Sequence, residues 1–121
     1  MFMVTPATTV RVFGIYLIGA AIGLMLAPNL LLAGIGAPPA LDVWVRMTGM
    51  VAAIIGYYYL RAAAANLRPL FVWSVHARLA VPVVIGAFIV AGMASPLLMG
   101  FGIVDALAAC WTWFALRREK N

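Results

Sequence analysis

The chain has 121 residues, of which 67% are hydrophobic and 9% charged, and its mean hydropathy is +1.12. A water-soluble domain carries about 25% charged residues, so this composition excludes one and points to an integral membrane protein. A net charge of +5 and a pI near 10.2 would suggest nucleic acid in a soluble chain, but in a membrane chain orientation and anionic headgroups account for the cations, and no nucleic-acid partner is expected.

Four apolar runs occupy nearly the whole length, at 12–33, 41–60, 79–94 and 97–116. A helix needs about 20 residues to cross a hydrocarbon layer of about 30 Å, and no alternation of apolar and polar residues suggests a barrel. The expected fold is all-α: a single membrane domain over 1–121, built as a bundle of four transmembrane helices. The first run follows Arg11 and extends past Pro28, which is too long for a secretory leader, so it is read as a retained span. The outer connection from Pro28 to Ala40 is apolar with Gly and Pro breakers; it extends helix one, lies along the interface as a lid, or is a frayed end. The second run carries Asp42, Trp44 and Arg46 at its start and Tyr57, Tyr58 and Tyr59 before Arg61 at its end. The connection over 62–77 includes Phe71 and Trp73 and reads as a helical extension or an interfacial turn. Arg78 opens the third run, with Pro82 in what would be its first turn, and Ser95-Pro96 makes a tight outer turn before the fourth.

Arg11, then Arg61, Arg68 and Arg78, then Arg117, Arg118 and Lys120 all fall on one side of such a bundle, whereas only Arg46 of the eight cations falls elsewhere. Cations collect on the cytoplasmic face, so both termini are expected in the cytoplasm and the protein in the inner (plasma) membrane. At an offset of 67 residues, Arg11 aligns with Arg78 and Ile18-Gly19-Ala20 with Ile85-Gly86-Ala87, which would make the two hairpins a parallel pseudo-repeat. Gly19-x-x-x-Gly23 and the series Gly49, Ala52, Ala53, Gly56 supply small residues for close helix approach, within the bundle or between protomers.

One cysteine, Cys110, excludes an internal disulfide, and with one histidine a metal site is not expected. No phosphate loop, nucleophile elbow or carboxylate pair appears. Two charges fall well inside the runs, Arg46 and Asp105, at depths that would let them meet. A charge at mid-bilayer costs on the order of 3 kcal/mol, so each should face the interior and find a partner. Asp42, at i and i+4 with Arg46, is a competing local partner. Arg46, Asp105 and Asp42 therefore form the candidate polar clamp or ligand site, with Asp105 as a binder of a proton, cation or headgroup in the functional reading. On the cytoplasmic side, Arg78, Arg61, Tyr57, Tyr58 and His76 could grip a headgroup; the alternative is a snorkelling interface anchor.

The order Arg11, a Pro/Leu segment, Trp44-x-Arg46-x-x-Gly49, Gly56-Tyr57, Arg78, Gly102-x-x-Asp105 and Leu116-Arg117 resembles small four-helix bacterial membrane proteins of the DoxX-like kind. That resemblance implies the fold, and by analogy with some such proteins an accessory role in a membrane assembly; it carries over no cofactor-binding residue. The leading expectation is a non-catalytic inner-membrane bundle, an accessory or assembly subunit or a binder of a lipid or quinone-like molecule. Its partners would be membrane lipids and a homo-oligomer or larger membrane complex. The alternatives are a small oligomeric transporter with Asp105 as coupling acid and a membrane-embedded enzyme on a lipophilic substrate.

Overall fold

The computed structural model describes residues 4–39 and 42–120, and these are all-helical. In chain order they form α1 (Pro6–Leu26), α2 (Pro28–Gly34), α3 (Trp44–Ala64), α4 (Arg68–Val90), a 3-10 turn (Pro96–Leu98) and α5 (Met99–Lys120). Three segments are long and apolar enough to cross a membrane: Pro6–Leu26, Arg68–Val90 and Pro96–Glu119. Helix α3 has the same 21 residues as α1, but Arg46, Arg61 and three tyrosines make it more polar.

Several boundaries differ from those expected from hydropathy. Helix α1 starts at Pro6, where the Thr5 hydroxyl accepts from the Thr8 amide at 3.2 Å and a proline occupies the first turn, which needs no N–H. It ends at Leu26 instead of running on to 33, because Pro28 cannot donate to the helix; the Leu run becomes the separate α2. The expected start of the second run at residue 41 lies outside the described residues, and α3 continues to Ala64. The largest change is in α4, which begins at Arg68 and not near 79. Pro82 therefore lies deep inside a helix and not in its first turn, and it leaves the carbonyl of Arg78 without its amide partner.

Three helix ends close in the same way. A residue with positive φ follows the helix, its amide bonds back three residues and the next amide bonds back five. Gly36, Asn66 and Gly92 hold that left-handed position after α2, α3 and α4, with φ of 71°, 52° and 77°. Asn66 makes the sharp α3–α4 turn, with Asn66 N–H to Ala63 O at 3.1 Å and Leu67 N–H to Ala62 O at 3.0 Å.

Helix α1 packs along α3, α4 packs along α5, and the two hairpins meet mainly where α1 touches α5. A Cβ on Gly56 would lie 3.0 Å from the Gly14 carbonyl, and one on Gly49 would lie 3.0 Å from the Ala21 carbonyl, so α1 and α3 are antiparallel and nearly in backbone contact. In the second hairpin a Cβ on Gly102 would sit 2.9 Å from Pro82 Cα, which brings α5 against α4 at Pro82. The dry core gathers at one end of the bundle, from Val10, Ala62, Ala63, Phe71, Val75, Ala109 and Leu116. Outward surfaces are apolar: Val90, Leu26, Leu30 and Val83 are each more than 70% exposed. That distribution suits a lipid surrounding and would be costly in water.

Candidate functional site

Within α4, Phe71, Ser74, Val75 and Arg78 are buried at helical spacing and form the stripe that faces the bundle. On α5 the interior stripe runs Gly102, Asp105, Ala109, Thr112 and Leu116, all buried except for the half-buried Asp105. Helix α1 contributes Thr9, Val10 and Phe13, also buried. Where these three stripes converge, the guanidinium of Arg78 sits 2% exposed, the most deeply buried charge in the described structure.

Its hydrogen bonds can be assigned donor by donor. Nε donates to the Ser74 carbonyl at 3.2 Å, and Nη2 donates to the Ser74 hydroxyl at 3.0 Å and the Thr112 hydroxyl at 2.9 Å. The Ser74 hydroxyl passes its own proton to the Phe71 carbonyl at 2.7 Å. Thr9 likewise donates to the Pro6 carbonyl at 2.7 Å, and since a hydroxyl has one proton, the 2.7 Å contact between Thr9 and Thr112 must be donated by Thr112. A directed chain results: Arg78 to Thr112 to Thr9 to the backbone of α1, tying three helices together. Two aromatic rings cover the charge, Phe13 with its centroid 4.7 Å from the guanidinium carbon and Tyr59 at 6.0 Å. Cation–π contact of this kind contributes about 0.5–2 kcal/mol, more when dry. One nitrogen remains: Nη1 is buried and has no partner among the described residues.

Asp105 is the complementary half. Because Gly102 lies against Pro82, Asp105, about one turn further along α5, is level with the backbone of Arg78. The guanidinium itself reaches back one turn to Ser74 and Thr112, and Thr112 is two turns, or about 10 Å, from Asp105. Acid and base are thus within electrostatic reach without an ion pair; among the described residues the one ion pair is Arg68 with Glu119 at 2.6 Å. Phe13 makes tilted contacts with two tyrosines, at 5.5 Å from Tyr16 and 5.8 Å from Tyr59, so an aromatic cluster adjoins the Arg78 guanidinium. Beyond Tyr16 an apolar hollow of about 330 Å³ opens between α1 and α5, lined by Ile35, Leu97, Gly100, Phe101 and Val104.

The pairing of Arg46 with Asp105 expected from depth is absent. Helix α1 packs between α3 and the α4–α5 hairpin, so α3 presents Arg46 elsewhere: the residue is exposed and its Nη1 donates to the Met25 carbonyl. That carbonyl is one of the last four of α1, which the helix cannot satisfy itself. Arg46 is therefore a cap from a neighbouring helix. Asp42 does not pair with Arg46 either; its carboxylate accepts from the Trp44 amide at 3.2 Å, at the start of α3. Of the expected headgroup cluster, Arg61, Tyr57, Tyr58 and His76 are exposed, and only Arg78 turns inward. Tyr59, not its two neighbours, faces Arg78. Thr9, Ser74, Thr112 and Phe13 were not singled out from sequence, though the buried stripe Phe71, Ser74, Val75, Arg78 was visible as a spacing of three and four.

Among the described residues no cluster of His, Cys, Asp or Glu could hold a metal. No family model matches the chain, and no curated protein or solved structure matches it.

Proposed function

We propose that the chain crosses the inner membrane four times with both termini in the cytoplasm, and that it is a non-catalytic accessory bundle holding a quinone-like molecule between Arg78 and Asp105. The observation that carries this reading is a buried cationic donor without an acceptor, with a half-buried carboxylate on the facing helix. Arg78 Nη1 is a buried donor without an acceptor, and Asp105 is an apolar-span carboxylate that makes no hydrogen bond among the described residues. Leaving a buried charged donor unsatisfied costs about 1–3 kcal/mol or more, which a guest would relieve. The pair favours a neutral head in its quinol form: one ring oxygen accepts from Nη1 and the opposite ring hydroxyl donates to the carboxylate, whereas an anionic head would meet Asp105 with like charge. The cluster of Phe13, Tyr16 and Tyr59 suits a flat ring, and the hollow past Tyr16 suits an apolar tail. The DoxX-like likeness in landmark order agrees with an accessory role.

Native mass spectrometry of the protein released from its own membrane tests this, followed by identification of the extracted ligand and titration with a short-tailed benzoquinol, whose hydroxyls can donate to a carboxylate. Wild type is expected to retain a neutral ring-headed amphiphile, and Asp105→Asn and Arg78→Met to weaken the quinol by about 10- to 100-fold, the value of one charge-assisted hydrogen bond. A bare wild-type protein indifferent to the quinol sinks the reading, as does undiminished affinity in folded Asp105→Asn.

A further inference from the structure

At the end of the bundle where α4 begins and α5 finishes, a groove of about 230 Å³ runs between these two helices, lined by Arg68, Val72, His76, Trp113, Leu116 and Arg117. A second hollow of about 240 Å³ continues it, sharing Val75, His76 and Trp113 and ending at Leu79 and Cys110. We propose that this groove is a binding site for one anionic phospholipid, its phosphodiester at the Arg68–Arg117 rim and an acyl chain lying along the crevice toward Leu79 and Cys110.

The rim is built for a doubly held anion. Arg117 stacks its guanidinium 4.7 Å over the Trp113 ring, which fixes the planar fork while leaving its N–H donors in the plane free. Across the groove, Arg68 is anchored by the Leu116 carbonyl at 3.0 Å and by Glu119 at 2.6 Å. Glu119 offsets one charge, but among the described residues Arg117 makes no ion pair, so the rim stays cationic. His76, exposed on the groove wall two turns beyond Arg68, adds a ring nitrogen. Arg68, Val72, Val75 and Leu79 follow at i, i+4, i+7 and i+11, so the face of α4 that lines the two hollows passes from charged to apolar, with His76 at its edge. From Arg68 to Leu79 the crevice extends about 16 Å along the helix.

This gradient is what separates a phospholipid from a free anion. Val72, Val75 and Leu116 have no role in binding inorganic phosphate, and a basic rim above an apolar slot with tryptophan at the boundary matches an amphiphile at a membrane interface. An anionic head is favoured over a zwitterionic one because a choline ammonium would be brought against the same guanidiniums. The site is on the outer face of the α4–α5 hairpin, away from the interior pair of Arg78 and Asp105, and does not depend on it.

The test is native mass spectrometry of the full chain in mild detergent with equal amounts of phosphatidylglycerol and phosphatidylcholine of matched chains. Wild type is expected to retain phosphatidylglycerol about fivefold or more over phosphatidylcholine, the effect of one cation at the surface. Arg117→Gln and Arg68→Gln, checked for helix content by circular dichroism, are expected to bring the ratio close to one. Asp105→Asn is expected to keep the full preference, which distinguishes this site from the interior one. Equal retention of the two lipids by wild type overturns the proposal whatever the variants do. So does a preference that survives in the folded double variant, or release of the lipid by millimolar inorganic phosphate at matched ionic strength.

Discussion

Arg78 and Arg46 show how little a charge's place in the sequence says about its partner. Arg78 stands at the opening of an apolar run and Arg46 inside one, yet Arg78 is sealed in the interior by three hydroxyl and carbonyl acceptors while Arg46 caps the end of a neighbouring helix. Solvation alone led the sequence reading to expect Arg46 and Asp105 each to face the interior and find a partner; Arg46 is instead exposed on a neighbouring carbonyl, and Asp105 makes no ion pair among the described residues. The identity of the partners was not legible, because it depends on which helix stands between which, and here α1 keeps Arg46 from Asp105. The hydroxyls that complete the site were missed for a related reason: serine and threonine are common in helices, and only convergence in space marks Thr9, Ser74 and Thr112. Their roles are separable. Replacing Thr112 by valine keeps the shape but removes both the acceptor for Arg78 Nη2 and the donor to Thr9, and is expected to lower stability by about 1–3 kcal/mol. Thr112→Ser restores the hydroxyl and should recover most of that loss. Thermal unfolding in detergent measures both; equal midpoints for the valine and wild-type proteins would show that the relay contributes nothing.

At the level of helices, the all-α class was readable from hydropathy, but the separate α2 and the boundaries where polarity and structure disagree were not. The first ten residues of α4 contain Arg68, Ser74 and His76, so they fail a hydropathy criterion while satisfying a helical one through the buried stripe of Phe71, Ser74, Val75 and Arg78. That extension is what moves Arg78 from a span entrance to a helix interior. Small residues were similarly half legible. Gly19 stands in a spaced pair with Gly23, yet a Cβ there would meet nothing within 4 Å, whereas Gly49 and Gly56 lie against the backbone of α1. Spacing gives a stripe but not which stripe is used. Gly56→Ala would press a methyl to 3.0 Å from the Gly14 carbonyl and 2.8 Å from Ile18 Cγ1; the carbonyl cannot yield without moving α1, so a loss of about 1–3 kcal/mol is expected. Gly19→Ala, with open space and better helix propensity, should be neutral or stabilising by up to about 1 kcal/mol. Chemical denaturation of the two variants side by side checks the contrast, and equal effects would remove the close approach of α1 and α3 as a source of stability.

For the whole molecule, the proposed threading turns on α3, the helix whose Arg46, Arg61 and tyrosines weaken its apolar signal. Contacts argue that it shares the depth of the others. It packs antiparallel on α1, with Gly56 at Gly14 and Gly49 at Ala21, and with 21 residues it is about 31 Å long, enough to match its neighbour. The relay from Thr9 to Thr112 then brings the start of α1 beside the last turns of α5, which an odd number of crossings would not allow. The two hairpins expected from the 67-residue offset also correspond to the pairs that pack best, α1 with α3 and α4 with α5. Their aligned arginines are not equivalent, however, since Arg11 is exposed and Arg78 buried. The direction of the proposed threading rests on the cations: those near the start of α1, the α3–α4 turn and the end of α5 share one end, and the proposal puts that end in the cytoplasm. In a Cys110→Ala background, single cysteines at Thr5, Pro38, Ala91 and Arg118, all exposed, report on this with an impermeant maleimide. Pro38 and Ala91 are expected to label in intact cells, and Thr5 and Arg118 only after the cytoplasm is opened. Labelling of Thr5 and Arg118 from opposite sides would mean three crossings and would detach α3 from the bilayer.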